Sequence, residues 1–236
     1  MEMRVDEARR NGLARHVDGF GPLGNVHRVA RPDRHDTQGV PLPGGGAPDA
    51  RPGDDVAELI AVQIGIGDDA AVENVHTVNG SLSLGSGVAA GSLETVNGSI
   101  SLGENSTASG SIEAVNGRIR LEKGSKVSDS ISNVNGDITL EGSEVDGDLS
   151  TVNGDVELTE GAVLHGDLVI EKPGMWSWGS KSSRVPQIVI GPGSTVGGVI
   201  RVEREVKLYI SESAEVGGVE GEMSMEDAIR FGGKRP

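Results

Sequence analysis

Few side chains in this sequence are of a type and spacing that could do chemistry. His76 and His165 are the only histidines between residues 61 and 170. Paired with a serine or carboxylate, either would suit general acid–base work. They stand 89 positions apart, however, and no Gly-x-Ser-x-Gly elbow or phosphate-binding loop accompanies them. Asp137 with Asp155, and Asp148 with Asp167, recur at 18 and 19 residues. A Gly-Asp repeat of that kind invites comparison with calcium-binding nonapeptide arrays. The period is twice too long, and the Gly-Gly-x-Gly-x-Asp string is absent, so no metal is expected. Carboxylates stacked ~4.8 Å apart repel by only about 1 kcal/mol in water, which a backbone ladder tolerates. Arg118, Arg120, Lys123 and Lys126 are the only basic residues of 61–170. They fall within nine positions and face 17 acidic residues in that stretch, which reads as charge compensation rather than a polyanion site.

Those residues sit on a repeat. Val-Asn-Gly recurs with its asparagine at Asn79, Asn97, Asn116, Asn135 and Asn153, at spacings of 18, 19, 19 and 18. Four residues before each asparagine is an aliphatic: Val75, Leu93, Ile112, Ile131 and Leu149. Three residues after it is another, and two further on a leucine: Leu84, Leu102, Leu121, Leu140 and Leu158. A period near 20 marks a solenoid. Apolar–polar alternation marks strands, and glycine marks corners. One unit is therefore one coil of a parallel β-helix. Coils stack ~4.8 Å apart, which brings the five asparagines into a corner ladder and is expected to place them at left-handed corners. Parallel crossovers favour a right-handed rise. The predicted fold is all-β, a right-handed parallel β-helix of about eight coils with a disordered N-terminal leader.

The coils extend past the triplets. "VQIGIGDDAAVENV" (62–75) places Ile64 and Ile66 in the Leu82 and Leu84 columns; 188–200 and 206–219 read as the last two coils. Gly142, Gly161 and Gly193 open equivalent turns. Between 172 and 186 an insertion interrupts the repeat and carries Trp176 and Trp178. Packing of both indoles on the rod is the expectation, with an interaction loop as the alternative. Residues 222–236 form a cap or tail, in which the capping-box-like Ser224-x-x-Asp227 precedes Met225, Ile229 and Phe231 as covers for the last coil.

Composition narrows the function. The net charge is −15, concentrated between 61 and 170, which argues against nucleic acid and anionic membranes as partners. There is no cysteine, so thiolate metal sites and disulfides are excluded. No aromatic lies between Gly21 and Met175, so the interior must be narrow and aliphatic, and a carbohydrate-active groove lacks its stacking platforms. "IGPGSTVGGVI" mimics a hexapeptide acyltransferase repeat, but the 19-residue steps break a strict six-residue period and the lone His165 speaks against a catalytic cleft. No run is long enough to span a membrane. Residues 1–61 are rich in Arg, Asp, Gly and Pro without strand or helix period, and disorder is expected there. "MEMRVDEARR" has no apolar signal core. The chain as written reads as cytoplasmic, and as exported if its start is miscalled.

The Gly-[Ser/Asp]-[Leu/Ile] and Val-Asn-Gly-[Ser/Asp]-[Ile/Val/Leu]-x-Leu columns resemble two bacterial groups over about 62–220. One is the bactofilins, polymer-forming cytoskeletal β-helices; the other is the putative-adhesin β-solenoid family with similar "TVNGD" repeats. The resemblance implies a non-enzymatic structural protein without cofactors, self-associating through the solenoid ends, or alternatively an exported adhesin-like protein.

Overall fold

The computed structural model describes residues 63–173 and 185–236. The expected leader and Trp176 and Trp178 of the insertion lie outside the described residues. The described chain is an all-β parallel solenoid of about eight turns, with a single short 3-10 turn at Met225–Asp227. No helix among the described residues is long and apolar enough to cross a membrane.

Each central coil contributes three strands to three faces. The first face stacks nine strands in chain order, from Gln63–Ile66 and Ser81–Leu84 to Lys207–Ser211 and Ile229–Phe231. The second face consists of two-residue strands such as Ala89–Ala90, Lys126–Val127, Glu144–Val145 and Val163–Leu164. The third face carries the five strands that end on the repeat asparagines, from Val75–Asn79 to Leu149–Asn153, and then Leu168–Ile170. In the penultimate coil the second and third faces merge into one strand, Thr195–Val202. The registers are those the columns require: Ile64 on Leu82, Ile66 on Leu84, Ile119 on Ile138, Leu121 on Leu140.

The interior is aliphatic, as the missing aromatics demanded. Leu102, Leu121, Leu140 and Leu158 are fully buried, as are Ile100, Ile119, Ile138 and Val156 beside them. Each such side chain contributes roughly 1.5–3 kcal/mol relative to exposure. A narrow three-sided interior leaves room for little else. Two polar columns share it at the corners. One holds Thr77, Thr95, Asn133 and Thr151; the other holds Ser106, Ser125, Ser143 and Ser194. Thr95 Oγ1 donates to the Gly80 carbonyl at 3.0 Å, and Asn133 Nδ2 donates to the Gly117 and Gly136 carbonyls at 2.9 and 2.8 Å.

One expectation about the corners is corrected. None of the five repeat asparagines adopts a positive φ; each is the last residue of a strand. Most left-handed residues lie in a different column, at the corner between the first and second faces: Asp69, Gly87, Asn105, Gly124, Gly142, Glu160, Gly161 and Gly193, with φ from 52° to 76°; of the glycines that follow the asparagines, Gly136 has a positive φ, at 140°. Glycine follows the asparagine for another reason. A Cβ on Gly98 would overlap the Gly80 carbonyl oxygen, and one on Gly117 would overlap that of Gly98. Close stacking of backbone on backbone demands the residue at these positions, and at Gly136 the positive φ demands it as well.

The C-terminal segment also differs from expectation. Ile229–Phe231 joins the first face as its ninth strand, and Ile229 is 51% exposed instead of covering the core. Met223, Met225 and Ala228 pack against the core in its place. The Asp227 carboxylate accepts from the Ser224 amide and hydroxyl at 2.8 and 2.9 Å, which holds its carboxyl below the usual range.

Candidate functional site: an asparagine ladder and its valine ridge

The repeated triplet builds the most regular outer feature of the rod. Asn97 Nδ2 donates to Asn79 Oδ1 at 3.1 Å, Asn116 to Asn97 at 3.0 Å, Asn135 to Asn116 at 3.0 Å and Asn153 to Asn135 at 3.1 Å. Every amide therefore points its oxygen toward the C-terminal end of the rod. The side-chain dipoles add, leaving the last oxygen as the negative end. Arg204 meets it: one Nη1 donates to Asn153 Oδ1 at 2.7 Å and to the Val152 carbonyl at 3.0 Å.

The ladder ends there because the insertion departs there. Ile170 pairs with Thr151, so Lys172 follows in the asparagine column, and the chain rejoins the first face at Gln187–Ile190. The Lys172 amide donates to Glu203 at 3.3 Å and its ammonium meets Glu222 at 2.8 Å, which raises the lysine pKa.

Beside each asparagine the valine of the triplet points outward. Val78, Val115 and Val134 are 36%, 39% and 36% exposed, and Val96 and Val152 are half-buried. Four large apolar side chains are exposed among the described residues: these three valines and Ile229. The ridge runs over five successive coils in register.

Where the residue after a corner glycine is serine or aspartate, its side chain accepts a backbone N–H of the next coil. The Ser99 amide donates to Ser81 Oγ, that of Arg118 to Ser99 Oγ, that of Asp155 to Asp137 Oδ1 and that of Gln187 to Asp155 Oδ1, at 3.1, 3.2, 3.3 and 2.9 Å. At the corner between the second and third faces the Asp167 amide donates to Asp148 Oδ1 at 2.8 Å and the Val199 amide to Asp167 Oδ1 at 2.9 Å. The aspartate columns that suggested calcium thus accept N–H groups the strand ladder leaves over at bends.

Three of the four basic residues meet an acid: Arg118 meets Asp137 at 3.4 Å, Arg120 meets Glu141 at 2.7 Å, and Lys126 meets Glu144 and Asp146 at 3.0 Å each. His76 lies 3.0 Å from Glu94 on the third face. His165 lies 3.0 Å from Glu144 on the second, so the two histidines are not brought together. His165 first and Lys126 second hold the Glu144 carboxyl below its usual range, and Asp146 and Glu144 raise Lys126. Sequence reasoning passed over Arg204 and the Lys126–Glu144–Asp146–His165 group. Only the register, placing 165 above 146, would have revealed the latter.

Comparison with protein-family models, with curated proteins and with solved structures finds no match to this chain.

Proposed function

We propose that this chain is a non-enzymatic structural solenoid that associates with copies of itself. The reading rests on one observation: all four exposed large apolar side chains among the described residues lie on the valine ridge or on the terminal strand. Strand formation alone does not account for the valines. Threonine has the same β-branching and would satisfy the strand while keeping the surface polar. Valine adds apolar surface and nothing else, on five consecutive coils. A ridge of this kind meets its like along the rod, and Ile229 marks the strand edge on which a further coil is added. The bactofilin-like columns support the same reading, as the polymers of that group are built from such rods.

Sedimentation velocity over a concentration series tests it. The wild-type chain is expected to self-associate, and the triple variant Val78→Thr, Val115→Thr, Val134→Thr to shift toward monomer at unchanged melting temperature. A wild-type chain that stays monomeric throughout overturns self-association and leaves the adhesin-like alternative, in which the ridge meets a different macromolecule.

A further inference from the structure

On the second face, the stack brings three ligand-type side chains together. Glu144 and Asp146 flank the buried Val145 and so project outward on one rung. Leu164 pairs with Val145, which sets His165 on the next rung directly above Asp146. His165 Nε2 lies 3.0 Å from Glu144 Oε1 and 3.9 Å from Asp146 Oδ1, and one ligand atom from each of the three residues falls within 4.8 Å of the others. A tetrahedral zinc ion with bonds of 2.0–2.2 Å has ligand–ligand edges of about 3.3–3.5 Å. The observed separations bracket that value, so closure needs only rotamer adjustment of exposed side chains.

A second observation shows that the carboxylates already converge on a cation. The Lys126 ammonium, one rung below, lies 3.0 Å from Glu144 Oε1 and 3.0 Å from Asp146 Oδ1. Its side chain is 40% exposed and sits on a flexible stem that can swing into water.

We infer that Glu144, Asp146 and His165 form a site for a zinc-class divalent ion that clips two adjacent coils, with Lys126 as the resident cation the ion displaces. The imidazole nitrogen selects zinc or cobalt over calcium, which takes oxygen ligands. Two carboxylates and one neutral imidazole leave the fourth position to water. Because the ligands come from successive coils, binding stabilises their stacking by mass action.

Cobalt(II) titration of the full-length chain, followed by visible absorption and by displacement with zinc, tests the site. One saturable ion per chain is expected, unaffected by equimolar calcium. His165→Ala is expected to weaken binding at least tenfold, whereas His76→Ala leaves it unchanged. Lys126→Met is the distinguishing variant: removing the competing ammonium tightens binding about fivefold or more. All three positions are exposed or half-exposed, and far-UV circular dichroism verifies that the variants fold. Absence of saturable binding by the wild-type chain overturns the inference. So does full affinity in His165→Ala, which would place the metal on other histidines, and so does an unchanged affinity in Lys126→Met.

Discussion

At the residue scale, each letter of the Val-Asn-Gly triplet has a separate physical task. Valine supplies the ridge, asparagine the ladder, and glycine the close approach of successive backbones. The glycine is the least replaceable. Gly117→Ala would push a Cβ into the Gly98 carbonyl, which is backbone and cannot turn away. A destabilisation of about 1–3 kcal/mol is expected by thermal or urea unfolding. Gly65→Ala, where an added Cβ meets nothing within 4 Å, is expected to be neutral or slightly stabilising. Equal effects of the two would refute the stacking explanation. Asn116→Ala removes two ladder hydrogen bonds from an exposed position and is expected to cost about 1–2 kcal/mol. The triplet was legible as a ladder from its spacing alone. Its backbone conformation was not, because asparagine tolerates both strand and left-handed geometry. Only the neighbouring coil's carbonyl decides why glycine follows. Arg204 was illegible for a related reason: it lies 51 residues from Asn153, and the insertion between them breaks the count that would have aligned the two.

At the element scale, the coil is held by its aliphatic columns and finished at its end by a short cap. Leu121 is fully buried mid-rod. Leu121→Asp would place an unpaired carboxylate in an interior with no partner for it, at a cost of several kcal/mol, and loss of the cooperative melting transition is expected. An unchanged transition would mean that the column faces water. Periodicity revealed these columns without help from structure, since both the register and the alternation are written in sequence. The polar interior was not readable in the same way. Thr95 and Asn133 look like surface residues until the corner places their side chains against buried carbonyls. The capping box at Ser224-x-x-Asp227 and the packing of Met225 on the core were legible, but the return of the chain to the sheet after one 3-10 turn, which leaves Ile229 exposed, was not. That turn carries its own pH signature. Asp227 titrates below its unfolded value because Ser224 donates to it twice. Its contribution is therefore complete above the usual carboxylate range and is lost as pH falls through the lowered value. The protection of the Ser224 amide, measured against its intrinsic exchange rate, should fall at acid pH in the wild-type chain. In Asp227→Asn that acid-dependent step should vanish; its persistence would assign the step to another group.

At the scale of the whole molecule, about eight coils at ~4.8 Å make a rod roughly 40 Å long. Its repeated positions are occupied by coil stacking, and among the described residues the exposed large apolar side chains lie on the valine ridge and the terminal strand. Acidity over the central coils keeps such a rod from pairing indiscriminately through its sheets, while the ridge, where valine and a neutral amide alternate, lacks that protection. Small-angle X-ray scattering over a concentration series measures this most directly, because it separates growth in thickness from growth in length. The cross-sectional radius is expected to rise with concentration as rods pair along the ridge, and the triple Val→Thr variant to lose that rise. A scattering profile that fits one rod about 40 Å long at every concentration, with the wild-type and variant curves superimposed, would contradict self-association through the ridge.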